Sequence, residues 1–269
     1  MCKRRISLIL VIAMLLSLIS FSAVTAEGEP DYSFDVSKGV TISDGTAPGT
    51  YKVTYGNPQI EVDNIPQSET ITLFTKSFTS DGINVTATHG TLKLRFNGLN
   101  VGGGGYGMRL SAESNRNVEI LLADNSINQI SQSLSTKGGY LTISCEHAAE
   151  QGHICDEDCG TLKAFGSYGD NLAGIDGDNI TINGGNIYAK GMASVPGIGK
   201  YRETVKNLTF NGGNIEAEGG EGTFATAGIG GGNWGDVNGI YINGGRITAT
   251  GKGTVNGQAI GIGAGENGK

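Results

Sequence analysis

The sequence predicts an all-β chain whose short strands stack into a solenoid, with rungs of about 25–33 residues. Three observations predict it. Glycine accounts for 46 of 269 residues, more than twice its usual share of about 7%. Aromatic residues make up 7% and charged residues 17%, yet 38% are apolar. That is too apolar for a solvated polymer and too poor in large side chains to fill one wide core. Finally, apolar residues in the second half alternate with polar ones and recur at nearly constant spacing, which is the strand period rather than the helix period. A narrow core, repeated many times, satisfies all three. With 5 prolines in the chain, collagen and proline-rich disorder are excluded.

Residues 1–26 read as a cleaved secretory signal. Lys3, Arg4 and Arg5 precede an apolar run, and Val24-Thr25-Ala26 supplies small residues at the exit. A membrane anchor is the competing reading of that run, and its serines and small-residue exit favour cleavage. Cleavage leaves 16 basic and 26 acidic residues, a formal charge of −10. Without a Lys/Arg-rich run the mature chain is a poor partner for nucleic acid or for a membrane surface.

Residues 27–89 read as an N-terminal cap or an irregular first rung, and residues 90–269 as the repeats. TLKLRFNGLNV (91–101) and NVEILLADNSI (117–127) carry the alternation, and LTIS (141–144) with GTLKAFG (160–166) forms two halves of one unit. The clearest units are NITINGGNIYAKG, NLTFNGGNIEAEG and NGIYINGGRITAT, whose corner glycines Gly184, Gly212 and Gly244 lie 28 and 32 residues apart. Ile180, Ile182, Ile187 and Ala189 share one face. Leu208, Phe210, Ile215 and Ala217 continue its columns, then Ile240, Ile242, Ile247 and Ala249. A third apolar element recurs between units as AGIDG, PGIGK, AGIGG and IGIGA. The pattern is still running at residue 269, so the expectation is that it continues downstream, in a segment that attaches the protein to a surface.

These units resemble the repeats of secreted bacterial surface proteins of the carbohydrate-binding-domain and pectate-lyase-like β-helix kind. The resemblance covers about residues 90–269. It implies a right-handed parallel β-helix, secreted or displayed on the cell, with a role in adhesion or in contact with polysaccharide or host or cell-wall glycan.

Several constellations could carry chemistry. Asn183, Asn211 and Asn243 occupy one turn in successive units and predict an internal ladder of stacked amides; a surface row of amides binding sugar hydroxyls is the alternative. CEHAAEQGHICDEDC (145–159) stands where Gly184 stands in the later unit. Two readings of this insertion stay open. A Cys145–Cys159 disulfide would hold the ends of the extruded loop together, contributing about 3 kcal/mol. Alternatively Cys145, Cys155 and Cys159 with His147 or His153 would supply four ligands to a structural zinc. Asp170, Asp176 and Asp178 offer hard oxygen ligands for calcium, or form an ordinary acidic turn.

Trp234, the single tryptophan, lies in a glycine-rich loop. It either stacks on a sugar or folds back as a loop anchor. Tyr188 and Tyr241, with Tyr201, are further sugar-contact candidates. The charged residues on the repeats do not converge from rung to rung, and no Ser/His/Asp arrangement stands out. The expected function is therefore non-catalytic carbohydrate binding or adhesion. The runner-up is a polysaccharide lyase built on Asp170, Asp176 and Asp178 with Lys200 or Arg202, and the third reading is a passive stalk.

Overall fold

The computed structural model describes residues 32–102, 108–110, 117–136, 138–148, 155–167, 169–253 and 259–269. The signal segment and His153 lie outside the described residues. No helix occurs among these residues, and so none is long and apolar enough to cross a membrane. The chain is all-β, with three mainly parallel sheets of eight, six and ten strands.

From Thr91–Phe96 onward each pass of the chain gives one strand to each sheet, and successive passes lie side by side in chain order. One pass runs through Tyr140–Cys145, Thr161–Phe165 and Ile175–Asp176. The next runs through Ile180–Ile182, Asn186–Lys190 and Ile198–Lys200, then Val205–Phe210, Asn214–Glu218 and Ala227–Gly231. The last described pass is Val237–Ile242, Arg246–Thr250 and Ile260–Gly263. This arrangement is consistent with the stacked coil that the periodicity predicts.

The registers place the repeat columns residue on residue. Leu141, Ile180, Leu208 and Ile240 stack in the eight-stranded sheet, as do Ile143, Ile182, Phe210 and Ile242. In the six-stranded sheet Leu162, Ile187, Ile215 and Ile247 form one column and Ala164, Ala189, Ala217 and Ala249 another. These side chains point inward because alternate residues of a strand face opposite sides, and all but the final pass are buried. Every rung thus buries its apolar face only against its neighbours.

Glycine sets how closely the third sheet approaches the second. A Cβ at Gly174, Gly197 or Gly228 would lie 2.5, 2.6 or 2.7 Å from the carbonyl oxygen of Ala164, Ala189 or Ala217. At Gly199 (φ +135°) it would lie 1.9 Å from the Gly230 carbonyl, so side chain and backbone are both forbidden there. The repeated A-G-I-G motif is the chemical signature of this narrow interior.

Upstream, parallel pairing already joins Tyr32–Asp35 to Thr70–Phe74 and Val40–Asp44 to Ile83–Val85. The segments Thr50–Tyr55 and Ile60–Pro66 instead pair antiparallel and complete that end of the ten-stranded sheet.

Candidate functional site

A cleft of about 610 Å³ opens beside the ten-stranded sheet, where three successive passes leave their third strand. Asp176 ends one such strand and Lys200 ends the next, with Tyr201, Arg202 and Glu203 in the loop that follows. Asp170 and Asn171 contribute from the turn closed by the Ser167–Leu172 bridge. The volume falls within the range of about 300–1,000 Å³ usual for small-ligand sites.

Asp176 is 8% exposed. Its Oδ2 accepts the Ser135 hydroxyl at 3.2 Å and its Oδ1 the Ala173 N–H at 3.3 Å. Burial pushes its pKa up to about 6, against the pull of those hydrogen bonds and of the Lys200 charge. Its partner positions in the following strands are Gly199 and Gly230, so the rung geometry does not call for a carboxyl there. Lys200 pairs with Asp178 at 3.2 Å and Glu203 at 2.5 Å. Burial works against its charge, but these two carboxylates outweigh burial and raise its pKa.

The loop after Lys200 and its counterpart one pass later are built on strained backbone. Arg202 adopts φ +60° and Trp234 φ +61°, a region that costs an ordinary side chain about 1 kcal/mol or more. The Arg202 guanidinium lies 5.0 Å from the centre of the Tyr201 ring, a cation–π contact that holds the ring in place. On the next pass, the Gly232 N–H donates to the Lys200 carbonyl at 2.9 Å. A Cβ at Gly232 would sit 3.0 Å from the Tyr201 ring. Two residues further, Trp234 is 59% exposed. Its indole is open to solvent over more than half of its surface.

Of the four aromatic residues named for sugar contact, Tyr201 lines the cleft, and Trp234, Tyr188 and Tyr241 do not converge. Trp234 follows a strand of the ten-stranded sheet, Tyr188 lies in the six-stranded sheet and Tyr241 in the eight-stranded one. Tyr188 donates to Glu218 at 3.3 Å and packs edge-on against Phe165. It borders a smaller hollow of about 300 Å³ with Glu216 and Arg246. Tyr241 is exposed.

The acidic trio needs correction as a calcium site. Asp170 accepts from Ser167 at 3.3 Å, Asp176 is buried under Ser135, and Asp178 accepts the Lys206 N–H at 2.9 Å beside Lys200. The ammonium of Lys200 supplies the positive charge next to Asp178, and the three carboxylates form no cluster among the described residues. The asparagine ladder forms, with Asn211 donating to Asn183 at 2.9 Å and Asn243 to Asn211 at 2.8 Å. It runs along a corner rather than the interior, half-buried at Asn183 and exposed at Asn211 and Asn243.

The insertion brings Cys145, Cys155 and Cys159 together, with all three Sγ atoms within 4.8 Å of one another. This cluster could hold a metal ion. No disulfide joins them in this structure. His147, named as a possible fourth ligand, turns its Nδ1 to Asp124 at 2.8 Å instead and lies outside the thiol group.

Sequence reasoning passed over Ser135, Asn171 and Glu203, which belong to the cleft. The one available signal was the run GKYRE directly after a repeat strand, where a polar cluster replaces the alternation. Comparison with protein-family models, curated proteins and solved structures finds no match to this chain, so the reading of the site stands on its geometry alone.

Proposed function

We propose that the chain is a secreted right-handed parallel β-helix of the carbohydrate-binding kind, which holds a polysaccharide across successive rungs without cleaving it. The observation that carries this reading is the cleft beside the ten-stranded sheet. Tyr201 is fixed there by Arg202, Lys200 and Glu203 offer charge, and Trp234 stands exposed on the adjoining loop. An indole or phenol ring presents an apolar body to a sugar face and a polar edge to its hydroxyls. Neighbouring rungs lie about 4.8 Å apart, so groups from consecutive passes line up along an extended ligand. Display on a cell surface and adhesion to a host or cell-wall glycan follow from the same reading.

The single tryptophan makes the test direct. Intrinsic fluorescence is titrated with neutral and acidic polysaccharides, and a pull-down is run in parallel with Tyr201→Ala and Trp234→Ala. A change in emission at saturation, with binding weakened at least tenfold by Tyr201→Ala, supports the reading. Failure to bind any polysaccharide at millimolar sugar overturns it in favour of a passive stalk.

A second reading is favoured by one observation: a carboxyl whose pKa is pushed up to about 6 shares the cleft with a lysine. Such a group can hold or release a proton near neutral pH. Release of an ultraviolet-absorbing unsaturated product from acidic polysaccharide, lost in Asp176→Asn, would establish a lyase in place of a binding module.

A further inference from the structure

We infer that Cys145, Cys155 and Cys159 form a zinc site that locks the 145–159 insertion onto the rungs around it. The inference is independent of the glycan cleft. Cys145 closes an inward-facing position of the eight-stranded sheet, in register with Leu122 one pass earlier. In the next pass that position falls to Gly184, where a Cβ would lie 3.0 Å from the Cys145 sulfur and 3.4 Å from that of Cys155. The bare corner leaves room for a thiol cluster, which a larger residue would fill.

Both arms of the insertion are fixed by neighbouring passes. Glu146 accepts from Arg95 at 2.7 Å and from the Asp124 N–H at 3.0 Å. On the return arm the Asn125 N–H donates to the Asp158 carbonyl at 2.7 Å. From the following pass, the Asn186 amide donates to the carbonyls of Asp156 at 2.6 Å and Cys159 at 3.0 Å. The three sulfurs are therefore held together before any ion arrives.

For the pair Cys145 and Cys155 the separation matches metal coordination rather than a disulfide. Cys145 and Cys155 lie 3.7 Å apart, sulfur to sulfur. A disulfide requires about 2.05 Å, whereas two thiolates on a tetrahedral zinc with Zn–S near 2.3 Å stand about 3.8 Å apart. The Gly185 N–H donates to the Cys155 sulfur at 3.0 Å. Backbone donors of this kind orient a ligating sulfur and support its negative charge. As each Zn–S bond forms, the thiol releases its proton to solvent, leaving three thiolates on one divalent ion.

The full chain, reduced and freed of metal with a chelator, is titrated first with cobalt(II) and then with zinc(II). Cobalt is expected to give a near-ultraviolet thiolate charge-transfer band and intense visible bands, saturating at one ion per chain. Zinc should displace it and raise the melting temperature until chelator is added. Cys155→Ser, at a partly exposed position, and Cys159→Ser should each weaken cobalt binding at least tenfold. Absence of the bands in the reduced wild type, or bands that survive both cysteine variants, overturns the site. So does native protein that is metal-free and lighter by the two hydrogens of a disulfide.

Discussion

Replacing Asp176 by asparagine tests the physics of the cleft floor. The carboxyl binds its proton more tightly in the folded chain, at a pKa of about 6, than at the ordinary 3.8. The folded state therefore holds more protons between these values, and stability falls as pH rises through that window and stays low above it. At about 1.36 kcal/mol per pKa unit, the ionised carboxylate costs the fold on the order of 3 kcal/mol at neutral pH. The asparagine amide would keep the shape without the charge, its oxygen accepting the Ala173 N–H and its NH2 donating to the Ser135 hydroxyl. Denaturant unfolding of both proteins from pH 4 to pH 8 should show D176N more stable by up to about 3 kcal/mol at pH 7, with the gap closing toward pH 4. Other carboxylates act in the opposite sense and cancel in the comparison. Burial would raise the pKa values of Asp44 and Glu146, but hydrogen bonds, chiefly from Thr88 and Arg95, hold them low. Their contribution is lost only as pH falls further. Parallel stability profiles for the two proteins across this range would refute the assignment of a buried, destabilising charge to the cleft.

Further outcomes follow from the same structure. Asn211→Ala removes both ladder bonds, to Asn183 and Asn243; at about 0.5–1.5 kcal/mol per net hydrogen bond, the exposed site should lose about 1–2 kcal/mol by denaturant titration. Phe210→Ala empties a fully buried position and should cost about 3–5 kcal/mol, measured in the same way. Gly199→Ala drives a Cβ to 1.9 Å from a backbone carbonyl and should abolish protection from hydrogen exchange in the strands on both sides. Trp234→Ala should leave the unfolding midpoint nearly unchanged, within about 0.5 kcal/mol, because the exposed indole packs little.

The interior was legible in the sequence because it obeys a local rule. Alternation placed Ile180 with Leu208 and Ala189 with Ala217, and the Asn-Gly-Gly corners fixed the phase, so the registers could be read off directly. The cleft was not legible. Its strands are two or three residues long, Ile175–Asp176 and Ile198–Lys200, too short to show which side chains face out. Asp176 and Asp178 look alike in sequence, yet one lies buried under Ser135 and the other reaches Lys200 on the next pass. The cysteines were legible as a group. Their spacing and the turning of His147 toward Asp124 depend on contacts between passes. The asparagine ladder was anticipated in pairing but not in exposure, since spacing reveals which amides stack and not which side of the corner they occupy.

Between the eight-stranded and six-stranded sheets, residues 144–160 span the same junction that residues 183–185 span one pass later, while the strands before and after remain in register. Length at that bend is thus decoupled from the ladders on either side. A lineage can lengthen, shorten or exchange the excursion without renegotiating the interior, provided the neighbouring glycine corner still clears it. The architecture works as a rack whose brackets can change one bend at a time.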